Sequence, residues 1–358
     1  MPTPKSDNPI RTVVVGYGYA GRHIHVPLLR LESALQLHGI CSGDPAKRDA
    51  IRSQFACRTY STFEEVIADS DVDLVILATP NALHAPQAIA AMSAGKHVVV
   101  DKPMCLSVGE ADQMIQASRQ FQRILRVFHN RRLDGDFLTL QRLIEQGEIG
   151  PIRWMELSWQ KQGLPRTWRQ VAGVGGGRLY DLGSHLIDQA LILSSSPVAS
   201  VFCRQHREFA GHDIESHSML TMVFADGATA IIDTTCASRI PKSRYVVLGD
   251  KATFVKYGVD HQEAALAAGD IDAAADDPSE YGQLDDGHSR RTIPTLPGRW
   301  RDYYREVAAA IGTAKVSPPP SPPADGLSRV RMQIAVLQAA SDSARSGQTV
   351  QLNTVQLD

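Results

Sequence analysis

Three side chains in this sequence are of the types needed for acid–base chemistry on a hydroxyl group. Lys102 stands just after the apolar run His97–Val100, and open parallel sheets place their ligands at the carboxyl ends of strands. Asp181 and His185 are four positions apart, after the glycine-rich stretch Gly175–Gly177. On helical geometry they share a face, where a carboxylate can bond a hydroxyl and an imidazole can exchange its proton. A surface lysine, a capping carboxylate and a packed histidine also fit, so the surrounding elements must decide.

A glycine turn near the N-terminus predicts a phosphate-binding site. An apolar strand breaks there into a turn that opens a helix, with the residues Gly16, Tyr17, Gly18, Tyr19, Ala20 and Gly21. Gly16 permits the turn, Gly18 lets the backbone approach a pyrophosphate, and Gly21 lets the helix pack on its strand. The free N–H groups of the helix then meet the phosphate charge. We therefore expect these six residues to bind a dinucleotide.

The residues after the second predicted strand indicate which dinucleotide binds. An NAD enzyme usually presents a carboxylate there to the ribose 2′-hydroxyl, whereas Ser42 occupies that position here. Lys47 and Arg48 follow and can meet a 2′-phosphate. The sequence therefore predicts NADP. Asp44 leaves NAD as the alternative, because a small shift in register would make it the ribose carboxylate.

Composition is typical of a globular protein with two domains. The chain has 358 residues, of which 43% are hydrophobic, which is enough for more than one core. A net charge of −2 argues against nucleic acid or an anionic membrane as the main partner. The first residues lack the apolar core of a secretory signal, and no apolar run is long enough to span a membrane. We expect a cytoplasmic protein.

Neither the cysteines nor the histidines predict a metal site. The five cysteines are never spaced as C-x-x-C, and the close pair His23 and His25 is two residues apart. On a helix those two imidazoles would point in different directions. We expect buried free thiols, no disulfide and no metal.

Apolar strands alternate with helices over roughly the first 130 residues, which predicts a doubly wound parallel sheet, that is, a Rossmann domain. Beyond the first strand, further strands are expected at Leu35–Cys41, Leu74–Ala78, His97–Val100 and Leu125–Phe128. A capping box is expected at Ser61–Glu64, and Asn81 is expected to cap the helix that runs through Met92.

From about His129 the pattern changes to one helix followed by antiparallel strands. Two hairpins are predicted by Asp226-Gly227 and Gly249-Asp250 between apolar runs. Glu263–Gly298 has few large apolar residues, so we expect a surface excursion with little regular structure. Two closing helices are expected, separated by a stiff proline-rich spacer. Their ranges are Trp300–Ile311 and Leu327–Ala344, with the spacer at Ser317–Pro323.

Taken in order, these motifs resemble the Gfo/Idh/MocA family of nicotinamide-dependent oxidoreductases. The resemblance rests on the glycine turn, Thr79-Pro80-Asn81 with His84, Gly95-Lys96-His97 leading to Asp101-Lys102-Pro103, and the pair Asp181 and His185. It covers nearly the whole chain. Other blocks resemble the branch that contains NADP-dependent scyllo-inositol dehydrogenases, namely Val127–Arg132, Asp136–Leu140, Tyr180–Leu182 and Lys256–Gly258.

The resemblance implies that Lys102, Asp181 and His185 carry the reaction. His185 would be the acid and base, Lys102 would hold the reacting oxygen, and Asp181 would orient the substrate and support His185. Further cofactor contacts are implied at Thr79, Pro80, Asn81, His84 and Asp101, with Tyr60 as a lid over the cofactor. Substrate contacts are expected from Asn130, Arg131, Trp168 and Arg169.

The implied fold is α/β: a Rossmann domain at 10–129 after a disordered tail at 1–9, then an α+β domain at 130–358. That second domain would hold the substrate and carry a large, open, mostly antiparallel sheet that commonly forms homodimers and homotetramers. Two departures are notable, because the family more often has Glu where Asp101 stands and the branch commonly has Trp where Leu133 stands.

The implied activity is reversible hydride transfer between NADP and a cyclic polyol or sugar resembling scyllo-inositol. The alternatives are a dehydrogenase or ketoreductase for another sugar, and a regulatory protein that binds NADP without turning it over.

Overall fold

The computed structural model describes residues 9–316 and 326–352, so the predicted N-terminal tail (but for its last residue) and the proline-rich spacer lie outside the described residues. The first part forms a six-stranded, wholly parallel sheet in the order β3-β2-β1-β4-β5-β6. Its strands are β1 (Ile10–Val15), β2 (Leu35–Cys41), β3 (Arg58–Tyr60), β4 (Leu74–Leu77), β5 (His97–Asp101) and β6 (Leu125–Phe128). This is the predicted Rossmann arrangement, in which the crevice at the point between β1 and β4 takes the ligand.

Helices cover both faces of this sheet because each parallel connection needs a crossover. They are α1 (Val26–Arg30), α2 (Pro45–Gln54), α3 (Phe63–Ala68), α4 (His84–Ser93) and α5 (Val108–Phe121). The predicted cap of α3 is shifted by one position, because Thr62 accepts from the Glu65 amide while Glu65 bonds back to Ser61. Asn81 is not a helix cap, since its side chain bonds Gly175 instead.

The second part forms a nine-stranded sheet in the order β14-β13-β12-β11-β7-β10-β9-β8-β15. Every neighbouring pair is antiparallel except β7 with β10. The strands are β7 (Ile152–Gln160), β8 (Val198–His206), β9 (His217–Phe224), β10 (Thr229–Thr235), β11 (Tyr245–Gly249), β12 (Thr253–Lys256), β13 (Gly282–Asp285), β14 (Arg290–Ile293) and β15 (Val350–Gln351). Both predicted hairpins are confirmed, and so is the fold class.

The remaining helices are α6 (Gly135–Glu145), α7 (Ser184–Leu193), α8 (Gln262–Ala267), α9 (Trp300–Val316) and α10 (Leu327–Ser346). The sheet packs against α7 and α10, while α9 returns to the first sheet. Trp300, Tyr304 and Val307 of α9 share one core cluster with Val14 and Ile76. In the described ranges no helix combines the length and apolar character that crossing a membrane requires.

The prediction for Glu263–Gly298 was wrong. This segment contains most of α8, the strand β13 and the edge strand β14. It buries only a few apolar side chains, among them Leu266, Ile271, Leu284 and Ile293. Edge strands need only backbone pairing on one side, so a short segment with this little apolar surface has no strong local signal.

Candidate active site

The three glycines of the turn between β1 and the first helix have different roles: two are required by packing, and one faces space for a ligand. Gly16 has φ +96°, and a Cβ there would lie 2.5 Å from the carbonyl oxygen of Ala78. A Cβ on Gly21 would lie 2.0 Å from the carbonyl oxygen of Gly16. Around a Cβ on Gly18, by contrast, nothing lies within 4 Å. The protein's own packing therefore requires Gly16 and Gly21, whereas the space beside Gly18 is open to a ligand.

The start of the helix after this turn offers donors to that space. The first helical hydrogen bond runs from the Arg22 amide to the Gly18 carbonyl at 3.0 Å. The amides of Tyr19, Ala20 and Gly21 precede this bond and, like the first amides of any helix, have no acceptor within the helix. Unpaired N–H groups at the positive end of a helix, beside open space, fit the pyrophosphate of a dinucleotide.

A cleft of about 440 Å³ joins this turn to the second part of the chain. The nucleotide fold contributes Gly18, Tyr19, Ala20, Ala78, Thr79, Asn81, Asp101 and Lys102. The second part contributes Trp168, Arg169, Gly175, Tyr180 and Asp181. The cleft thus lies at the carboxyl edge of the parallel sheet, where the sequence predicts it.

Lys102 and Asp181 meet in this cleft. The Nζ atom of Lys102 donates to the Asp181 carbonyl at 2.5 Å and lies 3.5 Å from Oδ1 of the same residue. Burial lowers the pKa of Lys102, and the Asp181 carboxylate opposes that shift. Burial alone would raise the pKa of Asp181, but Lys102, Arg169 and Arg178 hold it below its ordinary value. Asp181 is therefore an ionised carboxylate, and its charge favours the protonated form of Lys102.

Asp181 is carried by a π-helical turn, Leu179–Gly183, directly before α7. Single π-helical turns widen the helix and recur at functional sites. The turn is held by Glu215, whose carboxylate accepts from the Leu179 amide at 2.6 Å. A Cβ on Gly177 would lie 2.3 Å from that carboxylate, and Gly177 has φ +97°. Glu215 positions the loop that carries Asp181, and no sequence motif indicates this role.

His185 is the second residue of α7 and lies behind the cleft. It is 6% exposed, and its ring centroid lies 5.7 Å from that of Trp159. Burial, followed by the charges of Lys102 and Arg131, lowers its pKa well below the ordinary value. Within the described chain its Nδ1 has no hydrogen-bond partner. The side chain is thus a neutral imidazole that is able to accept a proton. The Asp181 carboxylate was expected to support His185, but it pairs with Lys102, Arg169 and Arg178 instead.

His129 is a second buried imidazole that was not nominated from the sequence. It follows β6, whose register aligns Phe128 with Asp101, so His129 and Lys102 are the next residues on adjacent strands. Its Nδ1 lies 3.7 Å from an oxygen of Asp188. Burial lowers its pKa to about 4. Its place at the carboxyl end of a parallel strand is the signal that could have found it.

Asp101 has a partner on each side. One carboxylate oxygen accepts from the Lys102 amide at 2.8 Å, and the other lies 3.8 Å from His25 Nε2. The other ring nitrogen of His25 lies 2.6 Å from the Tyr304 hydroxyl. His25 is fully buried, and its Nε2 has no hydrogen bond in the described residues. The short Asp side chain stops just outside hydrogen-bond distance of this imidazole.

The residues expected at the 2′-position of the ribose lie together after β2. Arg48 donates to the Ser42 carbonyl at 2.7 Å. Asp44 caps α2 by accepting from the amides of Ala46 and Lys47 at 3.0 and 3.4 Å. The Lys47 side chain is 50% exposed. The carboxylate that would favour NAD is therefore engaged by the helix, while a guanidinium stands next to Ser42.

Tyr60 does not form the expected lid. It is buried in the core, and its hydroxyl donates to Asp69 at 2.7 Å. Its ring lies against Gly39, where a Cβ would be 2.5 Å from a ring carbon. The pairing of β3 with β2 draws this side chain inward, because Tyr60 aligns with the buried Cys41.

Asn81 borders the cleft and His84 lies behind it, and both make hydrogen bonds that fix the cleft walls. Asn81 Nδ2 donates to the Gly175 carbonyl at 2.9 Å, which ties the two parts of the chain together. The two ring nitrogens of His84 lie 2.9 Å from the carbonyls of Pro103 and Thr79. Burial lowers the pKa of His84. His84 thus positions the segment that carries Lys102, whereas Asn81 positions the loop that leads to Asp181.

The four expected substrate residues divide into two pairs. Trp168 and Arg169 border the cleft, with the Arg169 guanidinium 4.7 Å from the Trp168 ring centroid. Asn130 and Arg131 are buried and do not border it. The guanidinium of Arg131 is instead enclosed by aromatic rings and acidic side chains. The structure therefore does not bring Arg131 to the cleft, because its partner Glu263 lies far away in sequence.

A dinucleotide cradle beside a buried lysine and carboxylate defines an oxidoreductase with a Rossmann domain. Residues 10–129 match the model described as "Oxidoreductase family, NAD-binding Rossmann fold", and residues 137–255 match the Gfo/Idh/MocA C-terminal domain. The chain belongs to the Gfo/Idh/MocA family.

Similar proteins include both curated sequences and solved structures. Scyllo-inositol 2-dehydrogenase (NADP⁺) IolW of Bacillus subtilis is 32% identical over 96% of each chain. The oxidoreductase YdgJ of Escherichia coli is 34% identical over 88% of this chain and 92% of its own. The structure of yvaA from Bacillus subtilis, described as an oxidoreductase, superposes with a TM-score of 0.86 at 30% identity, covering 98% of this chain and 100% of that one.

Proposed function

We propose that this oxidoreductase transfers a hydride reversibly between NADP and a secondary hydroxyl of a cyclic polyol or sugar. The observation that carries the proposal is the meeting of Lys102, from the nucleotide fold, and Asp181, from the second part of the chain, in the cleft beside the glycine turn. The similarity to a protein named as an NADP-dependent scyllo-inositol 2-dehydrogenase supports the substrate class.

The site residues divide the work of moving a proton while the nicotinamide ring exchanges the hydride. Lys102 donates to the reacting oxygen and stabilises the negative charge that develops there. His185, neutral because it is buried, takes the hydroxyl proton during oxidation and returns it during reduction. Asp181 keeps Lys102 charged and accepts from a substrate hydroxyl, since an ionised carboxylate only accepts.

The preference for NADP is supported by the positions of Arg48 and Asp44. Dissociation constants of NADPH and NADH, measured by nucleotide fluorescence, test it in the wild type and in Arg48→Ala. Loss of a charge-assisted bond to the 2′-phosphate should weaken NADPH binding roughly tenfold or more and leave NADH binding nearly unchanged. Tighter binding of NADH by the wild type would reject the proposed cofactor.

Turnover of a defined panel tests the reaction. Scyllo-inositol, myo-inositol and several aldoses are offered with NADP, and the reduced nicotinamide is followed by its absorbance. Oxidation of an inositol supports the proposal, whereas oxidation of aldoses alone would identify the enzyme as a dehydrogenase of another sugar. Tight NADPH binding with no turnover of any polyol or carbonyl compound would favour a regulatory protein.

We also propose that the chain forms a homodimer or homotetramer through the open face of the second sheet. Trp154 and Leu248 are directly paired on this face, with Leu248 37% exposed, and Met219 on β9 is also 37% exposed. Apolar side chains exposed on a broad sheet are typical of an interface between copies. Analytical ultracentrifugation of the wild type and of Leu248→Lys tests this, since a monomer in both would reject it.

A further inference from the structure

Helix α8 packs on the nucleotide fold, because its Leu266 belongs to the same core cluster as Val14 and Ile76. Its first residue, Gln262, is buried, donates to the Leu133 carbonyl at 3.1 Å and accepts from the Trp300 amide at 2.8 Å. A Cβ on Gly298 would lie 2.0 Å from the same side-chain amide, so the chain packs closely there. The residue after Gln262 is Glu263, and these contacts determine where its side chain begins.

Glu263 connects α8 to the glycine turn. Its Oε1 accepts from the Tyr19 hydroxyl at 2.8 Å, and its Oε2 pairs with the guanidinium of Arg131. Tyr19 stands in the first turn of the helix whose free amides face the phosphate space, and it borders the cleft. The hydrogen bond joins residues 244 positions apart in sequence.

Arg131 holds the Glu263 carboxylate in one place. Its guanidinium carbon lies 4.8 Å from the ring centroid of Trp159 and 4.7 Å from that of Trp300. A third contact joins it to Asp134 at 3.4 Å. A guanidinium between two rings has little freedom to move. Burial alone would raise the pKa of Glu263, but Arg131 lowers it, so the carboxylate is a charged acceptor.

Tyr19 is restrained by this acceptor, although its side chain is 54% exposed. Besides Glu263, its ring contacts His23, with 5.1 Å between ring centroids. An exposed tyrosine with few packing contacts would otherwise sample several rotamers, and ordering it on ligand binding costs free energy.

We infer that Glu263 is a positioning residue for the dinucleotide, which holds Tyr19 beside the phosphate space so that the tyrosine closes that end of the cleft. Arg131 and Glu263 act through Tyr19 and not on the reacting atoms. The inference rests on the dinucleotide-binding part of the proposed function and is independent of which polyol reacts.

A double-mutant cycle on the full chain tests this role. Tyr19→Phe removes only the hydroxyl, and Glu263→Met removes the acceptor at similar side-chain length. The readout is the dissociation constant of NADPH, measured by nucleotide fluorescence. Tyr19→Phe alone is expected to weaken NADPH binding about threefold to tenfold, since the bond is half exposed. In the Glu263→Met background the same change should alter the constant by less than about twofold, because the bond is already lost.

Two comparisons separate positioning from a general loss of structure. Tyr257→Phe removes a hydroxyl from a tyrosine that is 57% exposed, and it should leave NADPH binding at the wild-type value. Thermal unfolding of the apo protein should change in Glu263→Met, which removes one of the two carboxylates that pair with Arg131, but not in Tyr19→Phe.

The outcomes distinguish this inference from the proposed function. Wild-type affinity for NADPH in Tyr19→Phe, or an equal loss in both backgrounds, would overturn the positioning role alone. A wild-type protein that binds no NADPH would overturn both the proposed cofactor and this role.

Discussion

Replacing Lys102 by methionine tests the catalytic assignment at its centre. The substitution keeps the length of a side chain that is 13% exposed, but removes the ammonium 2.5 Å from the Asp181 carbonyl. That ammonium is the donor to the oxygen on which charge develops. Loss of one such donor costs about 2.7–4 kcal/mol, or about 10²–10³ in kcat.

The stability of the fold and the binding of NADPH should be affected much less than kcat. The Asp181 carboxylate keeps Arg169 and Arg178, each at 3.2 Å, so it is not left as an unpaired buried charge. The fold should therefore persist, and the loss should fall on kcat instead of on the dissociation constant of NADPH. Steady-state kcat at saturating NADP, nucleotide fluorescence and thermal unfolding measure the three quantities separately.

Lys96 provides a matched control just before the opposite end of β5. Its amine is also buried and also donates to a backbone carbonyl, that of Asp69 at 2.7 Å. Lys96→Met removes the same charge from the same kind of contact, but at the amino edge of the sheet. We expect kcat within about threefold of the wild type. The catalytic role of Lys102 would be refuted if kcat of Lys102→Met were also close to the wild-type value. It would also be refuted if Lys96→Met lost as much kcat as Lys102→Met does.

Four other substitutions test the glycine turn, the carboxylate before Lys102 and a buried imidazole. Gly18→Ala should leave apo stability near wild type but weaken NADPH binding roughly tenfold or more, because its methyl group enters only the ligand space. Gly16→Ala should cost at least about 2 kcal/mol in urea unfolding, because its methyl group meets a carbonyl oxygen at 2.5 Å. Asp101→Glu should raise the urea unfolding free energy by about 0.5–1.5 kcal/mol, because the longer side chain closes the 3.8 Å gap to His25. Since burial lowers the pKa of His129 from 6.5 to about 4, stability should fall as the pH drops through that range, by at most about 3.4 kcal/mol, and His129→Gln should flatten this fall in urea unfolding.

Each of these expectations can fail on its own measurement. Wild-type affinity for NADPH in Gly18→Ala would mean that the phosphate lies elsewhere, and an unchanged Gly16→Ala would mean that the turn can relax. A less stable Asp101→Glu would show that the longer acid does not reach the imidazole. An identical pH profile in His129→Gln would show that His129 is not the group that takes up the proton as the chain unfolds. The sign follows because the unfolded chain binds a proton there that the native chain does not.

Local patterns were sufficient for the elements that bury a continuous apolar surface. The four-residue strand β4 is fully buried, as its run of apolar residues requires. The hairpin of β9 and β10 formed at Asp226-Gly227, where Gly227 has φ +88°. The glycine turn and the strand-end lysine could also be predicted from the sequence, because parallel sheets bind their ligands at one edge. Short elements such as α8 and β13 were missed because their stability comes from docking on parts that are distant in sequence.

The amino-acid order by itself determined that a dinucleotide turn, a strand-end lysine and an Asp-x-x-x-His pair exist in one chain, because each of these is a local pattern. Only the tertiary structure decided their partners. Arg131 pairs with Glu263 instead of bordering the cleft, and Tyr60 lies in the core. Side-chain direction depends on which charges and rings lie nearby after folding, and most of those neighbours come from far along the chain.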